Sequence, residues 1–424
     1  MKNFTVAILG LGARGLDTYA PYADIAPQSM KIVAVADTDK RRVDTARLKY
    51  GVDAALCFGS AEEFLKLPKM ADLLILATQD RQHYEHSVAA LNLGYDILLE
   101  KPISPDLAEC IKLRDLAHKL GRSIIVCHVL RYTKFYRAIK EVLGSKRLGN
   151  IVTVQAIESV GYWHMAHSFV RGNWRRKEET SPMILQKCCH DFDIISWLIG
   201  KRCTGISSFG SLKYFNPSNA PKGSAPFCAV AGECRKSCPY DAHKIYFDSF
   251  DKGNRSWPVN VVALNPTKES LTEALAKGPY GRCVFACDND VVDNQVAAMQ
   301  FEDGITASFT MSGFSNSVNR EINIMCELGQ ITGDMGKNLV TVMPFGGEAE
   351  VIDISKLTDD LSGHGGGDNE MMRMVFESLE KGTQKSLSSI ADSVHSHVIA
   401  FAAEESRLNG GEAVDIEKFE KRCV

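Results

Sequence analysis

The sequence predicts an α/β protein that begins with a doubly wound parallel sheet and continues into a β-rich second part. First, residues 1–126 alternate short apolar strands with helical patterns, which requires parallel pairing through right-handed crossovers. Second, a glycine motif follows the first strand. Third, alternating apolar and polar segments separated by turn residues recur through residues 127–424. We therefore expect a Rossmann domain over 1–126 and an α+β domain over 127–424.

The strands of the first domain are continuous apolar runs, as expected for strands buried on both faces. They are FTVAILG (4–10), KIVAVAD (31–37), DLLILAT (72–78), DILLEKP (96–102) and SIIVCHV (123–129). Helical patterns lie between them, at about 40–50, 81–93 and 104–120.

The glycine motif GLGARG has the G-x-G-x-x-G spacing, and an acid ends the next strand, as dinucleotide-binding folds require. The second glycine allows the backbone to approach a pyrophosphate, and the following helix offers N–H groups. The candidate cofactor residues here are Gly10, Gly12, Ala13, Arg14, Gly15 and Asp37. Asp37 favours NAD by bonding the ribose hydroxyls, whereas Arg41 and Arg42 leave NADP open. The alternative is a nucleotide-free domain with an incidental glycine turn.

Two further strand ends meet at the same ligand-binding edge of the sheet. Thr78 and Gln79 follow one strand and are candidate cofactor contacts, together with His83 on the next helix; a polar helix surface is the alternative for this histidine. Glu100 and Lys101, in LLEKP, end the next strand. A lysine at this place is costly unless it is paired or in use, so we expect Glu100 and Lys101 to bind cofactor and the lysine to take part in acid–base chemistry.

The order of these motifs resembles the glucose–fructose oxidoreductase/inositol dehydrogenase (Gfo/Idh/MocA) family. Later segments, RGNW, CDNDVVDNQVAAMQFEDGITASFTM, GHGGGD and SHVIAFAAEESRL, resemble a sugar-acting branch of it. The resemblance implies that the second domain has a large, mostly antiparallel, open-faced sheet, and that substrate binds in the crevice between the domains. Lys101 matches the family's EKP lysine. A later family helix carries an acid and, four residues on, a histidine; here these positions hold Gln186 and His190.

The segment MILQKCCHDFDIISWLIG (183–200) reads as that helix, ended by its glycine. Lys187, His190 and Asp191 share one face. Cys188 and Cys189 point about 100° apart, which disfavours a metal site with the histidine. We expect His190 to exchange a proton with a substrate hydroxyl. Asp191 or Asp193 would orient its ring or hold a hydroxyl, and Lys187 would contact substrate or pair with Asp191.

The substrate candidates outside this helix are aromatic or basic. Sugar rings have apolar C–H faces, which suit aromatic side chains that carry hydrogen-bonding heads. The candidates are His164, His167, Arg171 and Trp174 in GYWHMAHSFVRGNWRR, and His364 in GHGGGD. The alternatives are a loop that packs its aromatic residues on the domain and a glycine hinge that touches no ligand.

Residues 213–282 read as an irregular insertion. It contains Cys228, Cys234, Cys238 and His243, whose C-x5-C-x3-C-x4-H spacing is not a common zinc spacing. We favour reduced thiols that pack locally and no metal, with structural zinc as the alternative. Cys283 and Cys287 are possible further ligands, and Asn289 or Asp290 could reach the substrate crevice.

The composition excludes several functions. The 424 residues are 45% hydrophobic and carry a net charge of −3, which gives no electrostatic reason to expect nucleic acid or a membrane as partner. No apolar run reaches the roughly 18–20 residues that span a bilayer. The thirteen cysteines are odd in number and unlike a secreted disulfide scaffold, so we expect free thiols and a cytoplasmic location.

The leading hypothesis is an NAD(P)-dependent oxidoreductase that transfers a hydride between a nicotinamide cofactor and a hydroxyl-bearing carbon of a small-molecule sugar or sugar derivative. One alternative is a redox-neutral glycosidase or lyase that oxidises the sugar transiently and eliminates the glycosidic group. Another is an NAD-binding sensor without catalysis, which the glutamine at 186 would support. The resemblance also implies a homodimer or homotetramer.

Overall fold

The computed structural model describes residues 3–382 and 386–423. All strands of the first sheet pair in parallel, in the order β3-β2-β1-β4-β5-β6, which confirms the doubly wound Rossmann prediction. These strands are β1 Phe4–Leu9, β2 Met30–Ala36, β3 Cys57–Phe58, β4 Leu73–Leu76, β5 Asp96–Leu99 and β6 Ile124–Val126.

Capping residues set the ends of the longer helices in this domain. Asp39 and Asp106 cap the first turns of α2 and α5, and Gly51 and Gly121 end these helices in the left-handed conformation. The helices are α1 Tyr22–Ile25, α2 Lys40–Tyr50, α3 Ala61–Phe64, α4 His83–Asn92 and α5 Leu107–Leu120. The expected helix after the glycine motif is only a π-helical turn, Gly15–Tyr19, followed by α1.

Two glycines allow the first turn to approach the sheet. Gly10 has φ +90°, and a Cβ there would lie 2.3 Å from the Ala77 carbonyl oxygen. A Cβ on Gly15 would lie 1.9 Å from the Gly10 carbonyl oxygen. Both positions therefore exclude any other residue, because a side chain would push the turn off β1 and β4.

The second sheet has nine strands in the order β14-β13-β12-β11-β7-β10-β9-β8-β15. Only β7 and β10 pair in parallel, so the sheet is mostly antiparallel, as predicted. The strands are β7 Ile151–Ser159, β8 Cys203–Ser211, β9 Asn294–Phe301, β10 Thr306–Ser312, β11 Asn319–Cys326, β12 Gly329–Asp334, β13 Leu339–Pro344, β14 Glu350–Asp353 and β15 Val414–Asp415.

Helices cover one face of this sheet, chiefly α9 and α16, and the other face is open. Apolar side chains on the open face, such as Val152, Phe209 and Val296, are about half exposed. The helices of this part are α6 Lys134–Gly144, α7 Tyr162–His164, α8 Met183–Gln186, α9 Cys189–Ile199, α10 Cys234–Ser237, α11 Ala242–Asp251, α12 Val259–Val262, α13 Lys268–Lys277, α14 Ser362–Gly365, α15 Gly367–Glu380, α16 Ile390–Leu408 and α17 Ile416–Arg422.

One late helix packs on the first domain rather than on the second sheet. Phe376 of α15 stacks on Tyr22 at 5.6 Å between ring centroids and lies 6.1 Å from Phe4. Met371 and Met372 join the same buried cluster. The chain beyond residue 126 therefore completes the core of the Rossmann domain, and the two domains share buried apolar surface.

The insertion at 213–282 is more regular than its composition suggests. Helices α10 to α13 lie within it, and two small apolar clusters hold α11, α12 and α13 together. One cluster is built on Tyr246 and Leu275, and the other on Phe250, Val259 and Leu271. Apolar residues spaced along α11 and α13 give the later part of the insertion its own core, whereas residues 213–233 contain only the short turns Pro217–Asn219 and Cys228–Val230.

None of the helices in the described ranges is long and apolar enough to cross a membrane. All thirteen cysteines fall within those ranges as free thiols.

Replacing Gly15 with alanine should destabilise the protein by about 1–3 kcal/mol, because the added Cβ collides with backbone that cannot move without disturbing β1. The matched control is Gly12→Ala in the same loop, where the nearest heavy atom to an added Cβ is 3.7 Å away. Thermal unfolding without cofactor should show a lower midpoint for the first variant only. Equal midpoints would contradict this account of the turn.

Candidate active site

The glycine loop and Asp37 form one arm of the site. Asp37 accepts a hydrogen bond from the Leu11 amide at 2.6 Å and from the Asp39 amide at 2.7 Å. Its carboxylate therefore lies directly beside the loop that would hold a pyrophosphate. Gly12 leaves open space where a side chain would stand. This cradle, with an acid at the end of β2, fits a dinucleotide bound at the edge of the sheet.

Arg14, in the middle of the loop, joins the two domains. Its Nε donates to Glu100 Oε1 at 2.6 Å, and its Nη2 donates both to Tyr19 and to Asp368 Oδ1 at 2.6 Å. Burial alone would raise the pKa of Glu100, but Arg14, Lys101 and the hydrogen bond from Tyr19 offset it, so that pKa lies below its usual value. The side chain of Arg14 is thus committed to these partners, and only its backbone faces a cofactor.

Thr78 and His83 brace the loops that follow β4 and β5. The His83 ring lies 2.7 Å from the Pro102 carbonyl oxygen and 3.1 Å from the Thr78 carbonyl oxygen. Thr78 Oγ1 lies 3.2 Å from His86, which also contacts Glu62. His83 is buried, so the structure places it under the loops rather than on their ligand-facing side.

Gln79 stands at the start of the turn before α4. It forms a capping box with Gln82, whose Oε1 accepts from the Gln79 amide at 3.3 Å. The Gln79 side chain therefore points toward the backbone of this turn.

Lys101 reaches across the crevice. It lies two residues after the end of β5, precedes a cis peptide bond to Pro102, and donates from Nζ to the Gln186 carbonyl oxygen at 2.7 Å. The contact at position 186 is therefore made by the backbone, which a glutamine provides as well as an acid does.

The helix at 183–200 is interrupted. It comprises α8 and α9, with Cys188 at a non-helical conformation between them, and Gly200 ends it at φ +72°. Cys188 and Cys189 are fully buried in the apolar core. The two cysteines therefore pack, as the helical geometry indicated.

His190 sits in the first turn of α9 and is 5% exposed. Burial, then the charge of Lys101 and the neighbouring His128, His364 and Arg320, hold the pKa of His190 well below its ordinary value. Its ring centroid lies 5.6 Å from that of His128 and 6.0 Å from that of His364. Within the described residues its Nδ1 has no hydrogen-bond partner. The imidazole is thus neutral and able to accept a proton.

Neither nearby aspartate orients His190, contrary to expectation. Asp193 accepts from Arg131 Nε and Nη2 at 2.6 and 2.7 Å. Asp191 accepts from Arg320 Nε at 2.8 Å. An arginine from elsewhere in the chain neutralises each of them, a partner that the helix alone does not reveal.

Arg320 holds two buried carboxylates. Its Nη2 lies 2.7 Å from Glu158 Oε2, and Glu158 is fully buried. Lys187 Nζ lies 3.2 Å from Glu158 Oε1, so its partner is this glutamate and not Asp191. Burial raises the pKa of Asp191 to about 6, with Arg320 opposing and Glu158 adding to the shift. The cluster forms the floor of the crevice beside His190.

An aromatic pocket lies on the second domain near this cluster. The His164 ring is 4.9 Å from that of Trp257, which is 5.3 Å from Trp163. His164 Nδ1 and Trp174 Nε1 are buried, and neither has a hydrogen-bond partner in the described part of the chain. Burial, then Lys187 and other nearby cations, keep the pKa of His164 well below its usual value. These faces and unpaired polar atoms suit a hydroxylated ring.

Arg171 lies outside this pocket, and His167 meets it only at the Trp257 ring, 5.4 Å away between ring centroids. Arg171 is fully buried and donates to the Arg282 and Tyr240 carbonyl oxygens at 2.7 and 2.6 Å. His167 Nδ1 lies 2.8 Å from the Tyr246 hydroxyl. Both residues therefore fasten the insertion to the second domain.

His364 lies on the glycine-rich turn and borders the crevice. Its Nδ1 lies 3.0 Å from Asp368 Oδ2, the carboxylate that also accepts from Arg14. Gly363, Gly365 and Gly366 all have positive φ, which allows the tight turn between them. The structure thus places His364 beside His190, linked to the glycine loop through one aspartate.

The thiols of the insertion are not gathered into a metal site. No group of three or more histidine, cysteine, aspartate or glutamate residues within 3–382 and 386–423 could hold a metal ion. Cys228 lies by Arg171, Cys234 donates to the Gly223 carbonyl, and His243 stacks on Phe247. The favoured interpretation of local packing and the zinc alternative both stay predictions, which elemental analysis of the protein for zinc would distinguish.

Asn289 and Asp290 bind the backbone of neighbouring loops. Asn289 donates to the Phe215 carbonyl at 3.1 Å, and Asp290 accepts from the Lys177 amide at 2.8 Å.

The motifs did not reveal several residues of the site: Tyr19, His128, Glu158, Trp257, Arg320 and Asp368. Asp368 had a visible signal, four residues after His364 at the start of a helix. Glu158 and Arg320 sit in ordinary alternating strands, where no local pattern distinguishes them.

Comparison with known families agrees with this geometry. The model of the oxidoreductase family with an NAD-binding Rossmann fold matches residues 4–128, and that of the family's C-terminal α/β domain matches residues 140–416. Both are Gfo/Idh/MocA models and together span most of the chain. YteT of Bacillus subtilis (strain 168), named as an oxidoreductase, is 23% identical over 404 residues, 89% of each chain. The inositol 2-dehydrogenase of Streptomyces avermitilis is 29% identical over 51% of this chain and 59% of its own length.

Solved structures share the fold. An Agrobacterium radiobacter oxidoreductase in complex with NAD+, L-tartaric acid and magnesium has a TM-score of 0.70 at 16% identity, covering 98% of this chain and 99% of that one. The WlbA dehydrogenase of Chromobacterium violaceum, with NADH and UDP-GlcNAcA, has a TM-score of 0.67 at 14% identity, covering 98% and 96%. At these identities the likeness concerns the fold.

Replacing Arg320 with methionine should destabilise the protein by about 3–5 kcal/mol, because two buried carboxylates lose their shared guanidinium. The matched control is Arg373→Met: Arg373 also pairs with two carboxylates, Glu370 and Glu377, but is 45% exposed, so about 0–1 kcal/mol should be lost. Urea unfolding measures both variants. A cost for Arg320→Met no larger than that of the control would contradict the buried cluster.

Stability should fall as pH drops from about 7 to 5. Burial is the largest cause of a depressed pKa at His128, His164, His167, His190, His395 and His397, including about 3 for His167 and about 4 for His395. Below about 6.5 the unfolded chain takes up protons that the folded chain does not, costing about 1.4 kcal/mol per pH unit for each fully differing histidine. The raised pKa values of Asp17, Asp191 and Asp193 oppose this, but these groups are fewer.

Urea midpoints between pH 5 and 7 measure this slope. Replacing the buried His167 with glutamine should reduce the dependence of the urea midpoint on pH. Replacing the exposed His118 with glutamine should leave that dependence unchanged. A pH-independent midpoint would show that these histidines titrate normally.

Proposed function

The chain belongs to the Gfo/Idh/MocA family of NAD-dependent oxidoreductases, and we propose that it transfers a hydride between the nicotinamide cofactor and a hydroxyl-bearing carbon of a sugar or sugar derivative. One observation carries the proposal. Lys101, shortly after β5, binds the Gln186 carbonyl at the start of the helical segment that carries His190, and its charge helps to keep the His190 imidazole neutral.

The residues that would hold the dinucleotide are those of the first arm. The backbone of Gly10, Gly12, Ala13, Arg14 and Gly15 would cradle the pyrophosphate, and Asp37 would bond the ribose. Arg41 is tied to Asp39 through Nε and Nη2, at 3.0 and 2.7 Å, which leaves it poorly placed for a 2′-phosphate. NAD is therefore the preferred cofactor in this proposal, and when bound it supplies the hydride acceptor.

The protein's own share is proton transfer and charge stabilisation. The neutral imidazole of His190 takes the proton from the substrate hydroxyl, because its depressed pKa keeps a lone pair free. The ammonium of Lys101 stabilises the oxygen as negative charge develops on it. In the reverse direction the imidazolium returns the proton. Burial of His190 limits the access of water to the reacting oxygen.

The aromatic pocket favours a sugar. Trp163, Trp257 and His164 offer ring faces to C–H surfaces, and the unpaired atoms of His164 and Trp174 can bond hydroxyls. Lys187, Asp191 and His364 border the same crevice as further contacts. The inositol 2-dehydrogenase relative and the WlbA neighbour with UDP-GlcNAcA support a polyhydroxylated ring as substrate class.

A screen of sugars and glycosides, with NAD and NADP in parallel, tests the proposal by following reduced nicotinamide and carbonyl product together. A substrate should yield both in equal amounts. Product from a glycoside without net reduced nicotinamide would instead support the redox-neutral alternative. If the protein binds NAD but converts none of the compounds, the proposal that its substrate is a sugar would be contradicted.

Lys101→Met and His190→Asn should each lower kcat by about 10²–10⁴-fold while NAD still binds, because each removes one partner of the proton transfer. His118→Asn and Lys119→Met, adjacent on the exposed surface of α5, are the matched controls and should keep full activity. Activity in the Lys101 and His190 double variant would overturn the site.

A further inference from the structure

We propose that the insertion forms the outer wall of the pocket for the adenosine end of the dinucleotide, and that it slows cofactor release. This inference rests on the proposed function but concerns a different part of the chain. The relevant wall comprises residues 260–264 with Ser270, Glu273 and Ala274, which belong to α12, α13 and their connection.

A cavity separates this wall from the first domain. It has a volume of ≈ 370 Å³, within the range of about 300–1,000 Å³ of ligand pockets. Its inner side is Asp39, Arg41 and Arg42, at the start of α2. This point follows β2 and Asp37 directly, so the cavity lies beyond the carboxylate that would bond the ribose.

Arg42 connects the cavity with the glycine loop. Its Nη1 would lie 3.7 Å from a Cβ on Gly12, so its guanidinium stands over the open part of the loop. Asp39 binds Arg41 closely but lies 3.9 Å from Arg42 Nε. The guanidinium of Arg42 is therefore held less closely than that of Arg41, and it can meet an anionic or hydroxylated group that extends from loop to cavity, as an ADP moiety does.

Asn260 bridges the two walls. Its Nδ2 donates to Asp17 Oδ2 at 3.0 Å, across from the insertion to the first domain. Its Oδ1 is buried and finds no hydrogen-bond partner in the described ranges. An unpaired acceptor in a pocket costs free energy unless a ligand donor meets it. The hydroxyls of a ribose and the amino group of an adenine are such donors.

The wall is held in place by packing. Val259 and Leu271 are buried in one cluster of the insertion, and Leu275 in the other. Arg171 fastens the whole insertion to the second domain from beneath. The Asn260–Asp17 contact ties this wall to the first domain, so a ligand held between the two should leave more slowly while the contact is formed.

The test compares Ala274→Trp, which fills the cavity, with Ala276→Trp, which is exposed on the same helix. Calorimetry on the full chain, with NAD, ADP-ribose and NMN as probes, should show the first variant binding NAD and ADP-ribose at least about tenfold more weakly, and the control binding them within about twofold of the original chain. NMN binding should not differ. Equal binding of ADP-ribose by all three proteins would overturn the inference and leave the proposed function standing.

A second variant keeps the test independent of how Ala274→Trp folds. Asn260→Ala should release NADH faster, by about fivefold or more, in a stopped-flow chase, because it removes a contact worth about 1 kcal/mol. An unchanged dissociation rate would contradict the bridge. If the original chain bound neither NAD nor ADP-ribose, the proposed function would fail, and this inference with it.

Discussion

The guanidinium of Arg14 joins three parts of the chain that are far apart in sequence. It binds Glu100 at the end of β5, Asp368 at the start of α15 and the hydroxyl of Tyr19 in its own turn. Burial would raise the pKa of Asp368, but Arg14 and His364 bring it well below its usual range, so this carboxylate stays charged. Charge-assisted hydrogen bonds of this kind fix geometry as well as contribute energy. The relative placement of the glycine loop, Lys101 and His364 depends on this one cation.

The crevice combines a neutral imidazole with nearby positive charge. Glu158 and Asp191 are bound by Arg320, and Asp193 is bound by Arg131. Within the described residues, the charged and titratable groups that shift the pKa of His190 are Lys101, Arg320 and two other histidines, and none is an acid. A site built in this way favours negative charge on a bound oxygen, because the fixed cations are already in place before any reaction begins.

The insertion contributes to both ends of the crevice. Trp257 brings an aromatic face to His164 on the substrate side, and Asn260, three residues later, reaches Asp17 on the glycine-loop side. One packed segment can thus adjust cofactor retention and substrate recognition together. His167 and Arg171, which look like ligand contacts in the sequence, hold this segment down.

The sequence by itself determined the fold class, the glycine loop, Asp37, Lys101, and the helix that carries His190. These features depend on local patterns: buried strands need apolar runs, a close turn needs glycine, and a helix shows its faces by spacing. Only the tertiary structure decided the partners of the charged groups and the role of the insertion. Arg320 meets Asp191 across 129 positions, and the Asn260–Asp17 contact spans 243. Such pairs arise from how elements pack, so no local spacing could reveal them.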